Sequence, residues 1–247
     1  MKIRIRYIVK VINVLMSLVL IIASSCSSSG TGDSKPVRAI LDAKKPSVDS
    51  AMVPEMIELY RSKRYEGLKT AETEGIENVL KISFHGRKMG TLSPRVASFT
   101  YLATLDVSYN DLTDLPEELS SLHYLQGFYA RGNKLTVFPE QIFLLPLLAR
   151  LDLSENLIRE IPPEIIKMDQ LVSLNLAHNG CSSLPEGIGN MLNLEKLDLS
   201  NNQLTSLPGE IISLSENLKE LNIKGNQIPA NEIIWLQESM PSTQIRY

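Results

Sequence analysis

Few residues in this chain could carry chemistry. Among its 247 residues there are two cysteines, Cys26 and Cys181, and three histidines, His85, His123 and His178. No nucleophile elbow, glycine-rich phosphate loop or zinc-ligand spacing is present. Asp106, Asp152 and Asp198 recur at equal spacing. A hard cation needs six or more oxygens converging on one point, and carboxylates strung along a line do not supply that. No metal and no cofactor are expected. What stands out instead is a group of large polar and aromatic residues between positions 109 and 178: Tyr109, Tyr129, Arg131, Arg150, Glu155 and His178. Tyrosine and arginine are enriched at binding hot spots, so this group points to recognition rather than turnover. The opposing expectation is a solvated surface with scattered aromatics, since isolated exposed apolar side chains are ordinary.

The elements that position these residues come from a repeat. Leu148, Leu151, Leu153, Asn156, Ile158, Ile161-Pro162, Ile165 and Met168 form a skeleton. It returns, with every position raised by 23, as Leu171, Leu174, Leu176, Asn179, Cys181, Leu184-Pro185, Ile188 and Met191. The same shift in the other direction finds it again from Leu125 to Leu145. A fixed period in this range signals a stacked solenoid. The L-x-x-L-x-L part alternates apolar and polar residues, as a short strand with one buried face does. Asn110, Asn133, Asn156, Asn179, Asn202 and Asn226 fall where the chain leaves that strand. Asparagine tolerates left-handed backbone and pairs with main-chain groups that a buried bend would orphan. Prolines at 116, 139, 162, 185 and 208 suit the first turn of a short helix.

The same frame places the remaining side chains. Tyr129 falls in a column otherwise held by Ser83, Asp106, Asp152, Asn175, Asp198 and Asn222, so its ring is expected to stand above short neighbours. With Arg131, Tyr109 and Arg150 it is expected to form one platform. Cys181 takes a slot held elsewhere by leucine or isoleucine, so it reads as a small buried hydrophobe, with no disulfide expected. His123 falls on the return segment. His85 and His178 share the strand side but lie four repeats apart, about 19 Å at a strand spacing of about 4.8 Å.

The pattern L-x-x-L-x-L-x-x-N-x-L-x-x-L-P-x-x-I over roughly 79–241 resembles the Ras-suppressor type of leucine-rich repeat. That resemblance implies an α/β fold: a right-handed solenoid with a parallel sheet on the concave face and short helical or 3-10 segments on the convex face. It also implies a concave surface that binds a protein or peptide. Seven repeats are expected. The first is degraded, with Arg87 in place of the asparagine and Ser93 before the proline, and one later step is longer by one, near Ser215 or Glu216. Residues 51–78 are expected to form a helical N-terminal cap. At the other end, Asn231 is expected to cap a helix reaching Met240, and residues 242–247 a capping strand. No appended ligase, kinase or GTPase module is expected, and the protein reads as a monomer.

Residues 1–25 have another character. Lys2, Arg4, Arg6 and Lys10 precede an apolar run from Val11 to Ala23, too short for a span of about 20 residues but suited to a signal-peptide core. Ala23-Ser24-Ser25-Cys26 resembles the lipobox of bacterial lipoproteins, departing from it at Ala23. The resemblance implies a lipid on Cys26 and attachment to the cell envelope, the outer membrane above all, facing periplasm or exterior. Ala23 and Ser25 also suit an ordinary signal peptidase. Residues 26–50, rich in serine and glycine, read as a flexible tether. Removing residues 1–25 takes away four positive and no negative charges, moving the net charge from −3 to −7. So acidic a chain is not expected to bind nucleic acid. Three functions remain open: a membrane-tethered binding module, a passive envelope spacer, and a glycan-acting enzyme. The last would need converging carboxylates and a pocket.

Overall fold

A computed structural model describes residues 62–73 and 75–247. The signal segment, Cys26, the tether and residues 51–61 of the expected cap lie outside the described residues. Nine parallel strands form one sheet in strict chain order: β1 (Arg64–Glu66), β2 (Lys81–Ser83), β3 (Thr104–Asp106), β4 (Gly127–Tyr129), β5 (Arg150–Asp152), β6 (Ser173–Asn175), β7 (Lys196–Asp198), β8 (Glu220–Asn222) and β9 (Gln244–Arg246). Each strand is very short, and its central side chain points inward. Ile82, Leu105, Phe128, Leu151, Leu174, Leu197 and Leu221 stack there, all buried. Neighbouring repeats cover one another's apolar sides, which no single repeat could do alone.

From β2 to β8 each return segment is a short 3-10 turn, as in Glu117–Ser121, Glu140–Leu144 and Pro163–Lys167. The recurring proline sits just before the turn rather than inside it. Pro116, Pro139, Pro162, Pro185 and Pro208 all have extended ψ, and each carbonyl accepts an N–H from within the turn that follows. Ser93 does the same in the degraded repeat, and its hydroxyl also accepts from the Arg95 N–H. The longer repeat step is absorbed by a longer turn, Gly209–Leu214, ending at Ser215. These turns are bulkier than strands, so stacking them opens the outer side and leaves the sheet lining the concave side. The solenoid therefore has the α/β architecture that the resemblance implies, a parallel sheet with short 3-10 segments opposite it.

The strand expected within residues 242–247 is β9, whereas the N-terminal cap and the start of the last helix differ from expectation. Within residues 51–78, the described part contains a strand, β1, before a single helical turn, α1 (Leu68–Glu72). Tyr65 lies in β1 with its ring buried, and Ala71 of α1 is fully buried. The sheet thus begins one strand earlier than the repeats do. At the other end α2 (Ala230–Ser239) is preceded by Pro229, with no side-chain cap. Asn231 lies inside the first turn. Pro229 has its φ preset for this boundary, and its carbonyl accepts from the N–H of Glu232 and of Ile233. The Glu232 carboxylate accepts the Leu207 N–H at 2.6 Å, tying α2 to the repeat before it.

Candidate functional site

The six asparagines make one repeated set of hydrogen bonds. Asn156 Nδ2 donates to the carbonyls of Ala130, Leu153 and Ser154, and Asn156 Oδ1 accepts the Leu135 N–H at 3.1 Å. Asn110, Asn133, Asn179 and Asn202 repeat this pattern, and Asn226 repeats it with one donor bond fewer. The left-handed backbone expected at these asparagines lies instead at the position just before each. Gly86, Tyr109, Gly132, Glu155, His178, Asn201 and Gly225 all have φ between 54° and 75°. The seven repeats share this torsion without exception. Glycine adopts it freely and asparagine readily, whereas tyrosine, glutamate and histidine hold it at a cost of about 1–2 kcal/mol.

A second regularity links this column to the one before it. That column reads His85, Ser108, Arg131, Ser154, Ala177, Ser200 and Lys224. Wherever its residue is large, the left-handed residue is glycine; wherever it is small, the left-handed residue is large. Each repeat therefore presents one large side chain at the rim of the sheet, from one position or the other. In the repeats of Asp152 and Asp198 the strand holds the small residue, whereas Asn222 Oδ1 accepts the Lys224 N–H in the same way although Lys224 is large. Asp152 Oδ1 accepts both the N–H and the hydroxyl of Ser154, and Asp198 does the same for Ser200. Both serines are buried, so display passes to Glu155 and Asn201. Tyr129 has no carboxylate to close such a turn, and in its repeat Arg131 takes over beside Gly132.

The result is a continuous rim row: His85, Tyr109, Arg131, Glu155, His178, Asn201 and Lys224. The His85 and Tyr109 rings meet edge to face at 5.0 Å, and the Arg131 guanidinium lies over the Tyr109 ring at 5.4 Å. Arg131 donates to Glu155 at 2.6 Å. That bond holds the glutamate carboxyl below its ordinary range, with His178 adding to the effect from the far side, and it raises the guanidinium. His178 Nε2 and Asn201 Nδ2 are 3.2 Å apart, within hydrogen-bonding distance. Two of the glycines are spacers in this row. A Cβ on Gly132 would stand 2.7 Å from the Tyr109 ring, and one on Gly225 2.5 Å from Asn201 Oδ1. Below the middle of the row a recess of about 190 Å³ opens, lined by Arg131, Ser154, Glu155, Ala177, His178 and Asp198 among others.

Four of the six residues singled out in the sequence, Tyr109, Arg131, Glu155 and His178, thus belong to the row. Sequence reasoning misses His85, Asn201 and Lys224, although the exchange between large residues and glycine in adjacent columns is readable in the sequence. Tyr129 and Arg150 belong to a different place, on the strand face, so the single platform expected of these residues divides in two. The Tyr129 ring does not stand above its neighbours. It folds back along β4 so that its hydroxyl would lie 3.3 Å from a Cβ at Gly127. Burial raises its pKa, with Arg150 acting in the opposite direction. The aspartates at 106, 152 and 198 each close a turn in their own strand through Oδ1. Cys181 is fully buried, and burial pushes its thiol up to about 11. His123 has its pKa lowered by desolvation on the return segment.

Residues 81–240 match the family described as a leucine-rich repeat region. Among solved structures, a leucine-rich repeat protein of Leptospira interrogans is 24% identical over 70% of this chain, with a TM-score of 0.37. An internalin of Listeria monocytogenes is 20% identical over 67% of this chain, with a TM-score of 0.52. The chain spans 62% and 52% of the lengths of these two proteins. The internalin likeness bears on the fold alone. No curated protein matches the chain.

Proposed function

The chain belongs to the leucine-rich repeat family, and on that premise we propose that it is a membrane-tethered, non-catalytic module that binds a protein or peptide along its rim row. Proteins of this family are typically binding scaffolds. The observation that carries the reading is the left-handed column. Tyr109, Glu155 and His178 hold a torsion that glycine would adopt without cost, and their side chains meet other side chains: His85 and Arg131, Arg131, and Asn201 in turn. Strain of this kind persists where the side chain is used. The row also offers a partner what hot spots offer: an aromatic ring with a cation stacked on it, and a flanking carboxylate.

The test is capture of a partner from envelope extracts, repeated with the row altered. Tyr109→Gly and Arg131→Ala are expected to weaken the partner about thirtyfold, as truncating a central contact of about 2 kcal/mol does. Glu140→Ala, on a convex turn, is expected to leave binding unchanged. A partner that binds the row variants as tightly as wild type would remove the row as its site.

The tether is part of the same proposal. Its support is the basic start, the short apolar core and the small residues before Cys26. A lipid there would hold the module at the cell envelope, at the outer membrane in a host that has one. Cys26→Ser is expected to leave an unprocessed or soluble species, and intact mass of the membrane fraction reads the outcome directly. An unmodified N-terminal Cys26 in that fraction would end the lipid assignment.

A further inference from the structure

The recess below the rim row has a floor unlike that of the repeats beside it. In three repeats the strand ends in aspartate, with serine two positions on: Asp106 and Ser108, Asp152 and Ser154, Asp198 and Ser200. Asp152 and Asp198 each take both the N–H and the hydroxyl of their serine, so the turn is closed and filled. The repeat between those two carries Asn175 and Ala177 instead. Asn175 Oδ1 still accepts the Ala177 N–H at 3.1 Å, which closes the turn in the same way. Alanine, however, brings no hydroxyl, and the amide brings N–H donors that a carboxylate lacks. The turn needs neither change. One removes bulk where the recess opens, and the other puts a donor among the residues that line it.

The hydrogen-bonding capacity left open there is mixed. Among the described residues Asn175 Nδ2 meets no acceptor, whereas Asn222 Nδ2, in the same column, donates to Asp198 Oδ2 at 3.0 Å. Arg131 gives one guanidinium nitrogen to Glu155 Oε1, leaving its other N–H groups and Glu155 Oε2 open. The hydroxyl protons of Ser154 and Ser200 are committed to aspartates, so these oxygens can serve a ligand only as acceptors. A carboxylate in the recess would answer the donors alone, and an ammonium the acceptors alone. A primary carboxamide carries a carbonyl oxygen and an NH2 on one carbon and answers both. The volume, about 190 Å³, is below the roughly 300–1,000 Å³ of a pocket for a whole small molecule, and suits one side chain.

We infer that the recess is an anchor socket for a glutamine side chain of the bound peptide, whose carbonyl accepts from Asn175 Nδ2 and whose NH2 donates to Glu155 Oε2. The inference rests on the reading of the rim row as the peptide-binding surface, and it gives that peptide a residue. Glutamine is favoured over asparagine because the recess lies below the row, so the carboxamide must reach down from a main chain lying along the rim.

The test is an NMR titration of the full chain in neutral detergent with acetyl-Gly-Gln-Gly N-methylamide, beside the counterparts with glutamate or lysine in the middle. The blocked ends add neither an NH2 nor a charge, so only the central side chain differs. The glutamine peptide is expected to bind with a Kd of about 1 mM, roughly tenfold or more below that of either counterpart, and to shift the Asn175 side-chain amide signals. Asn175→Asp combined with Ala177→Ser recreates the pair found on both sides and should keep the wild-type circular dichroism. It is expected to weaken the glutamine peptide about tenfold or more. A double variant that keeps wild-type affinity, or three peptides that bind alike or not at all, would overturn the socket. Tighter binding of the lysine or the glutamate peptide would overturn the carboxamide assignment. Tyr109→Gly separates the two readings. A captured partner weakened by Tyr109→Gly but indifferent to the double variant removes the socket and leaves the row. Full capture by Tyr109→Gly, with the glutamine preference intact, removes the row and leaves the socket.

Discussion

Asn156 and Glu155 are consecutive in the chain and opposite in logic. Asn156 points inward and its amide serves four main-chain groups, two of them in the preceding repeat. Glu155 points outward, carries the left-handed torsion of the bend, and pairs with the side chain of Arg131. The inward position is asparagine in six repeats; the outward one is glycine, tyrosine, glutamate, histidine or asparagine. A position that answers to buried backbone is chemically narrow. A position that answers only to a torsion is free to vary in what it displays.

That contrast can be broken by substitution. Asn156→Ala leaves several buried carbonyls and an N–H without partners and is expected to cost about 3 kcal/mol, read by chemical denaturation. Asn226→Ala, half-buried and with fewer bonds, should cost about half as much. Similar in size is Gly132→Ala, expected to cost about 1–2 kcal/mol from its φ of 66° and from its clash with the Tyr109 ring. In a Tyr109→Gly background the steric part should vanish, leaving the torsional part, and a double-mutant cycle measures that coupling. Glu155→Gly should stay within about 1 kcal/mol of wild type, since relief of the torsion offsets glycine's greater unfolded freedom and the lost ion pair. Equal losses at 155 and 156 would dissolve the distinction.

The smallest effect is in pH. The Glu155 pKa is depressed in the folded state by the hydrogen bond from Arg131, so the pair contributes stability above the unfolded carboxylate value and loses it as pH falls through the folded one. The pair is exposed, and its worth is about 0–1 kcal/mol. The stability difference between wild type and Arg131→Ala should therefore shrink on going from neutral pH to below about pH 4, the ordinary range of glutamate. A difference that is flat across that range would place the contribution of Arg131 in its stacking on Tyr109.

The buried columns of Leu105, Leu151 and Leu174 and the asparagine ladder are legible in the sequence because each repeat meets the same neighbours. Strand β1 is not. The step from Arg64 to its partner Lys81 is shorter than the step from Lys81 to Thr104, and a single buried tyrosine marks the strand. The rim row is legible only in part, because its members share no residue type. Tyr109, Glu155 and His178 have a torsion in common, and Arg131 reaches the same place from the adjacent position. The folded-back Tyr129 ring is hidden for a related reason: its direction depends on the missing side chain of Gly127, at the other end of the same strand.

The asparagine bonds also have a direction. Among the described residues, Asn133, Asn156, Asn179 and Asn202 each reach back to the repeat already behind them and not to the one ahead. In the first repeat, where the asparagine is missing, Arg87 reaches back in the same sense, donating to the Glu66 carbonyl. A chain emerging N-terminus first, from a ribosome or through a membrane pore, therefore brings with each new repeat the group that fastens it to the last. At every stage of emergence the newest repeat still holds an N–H, such as that of Leu135, which the asparagine of the next repeat takes up. The solenoid is built to grow from one end, as a polymer with a head and a tail.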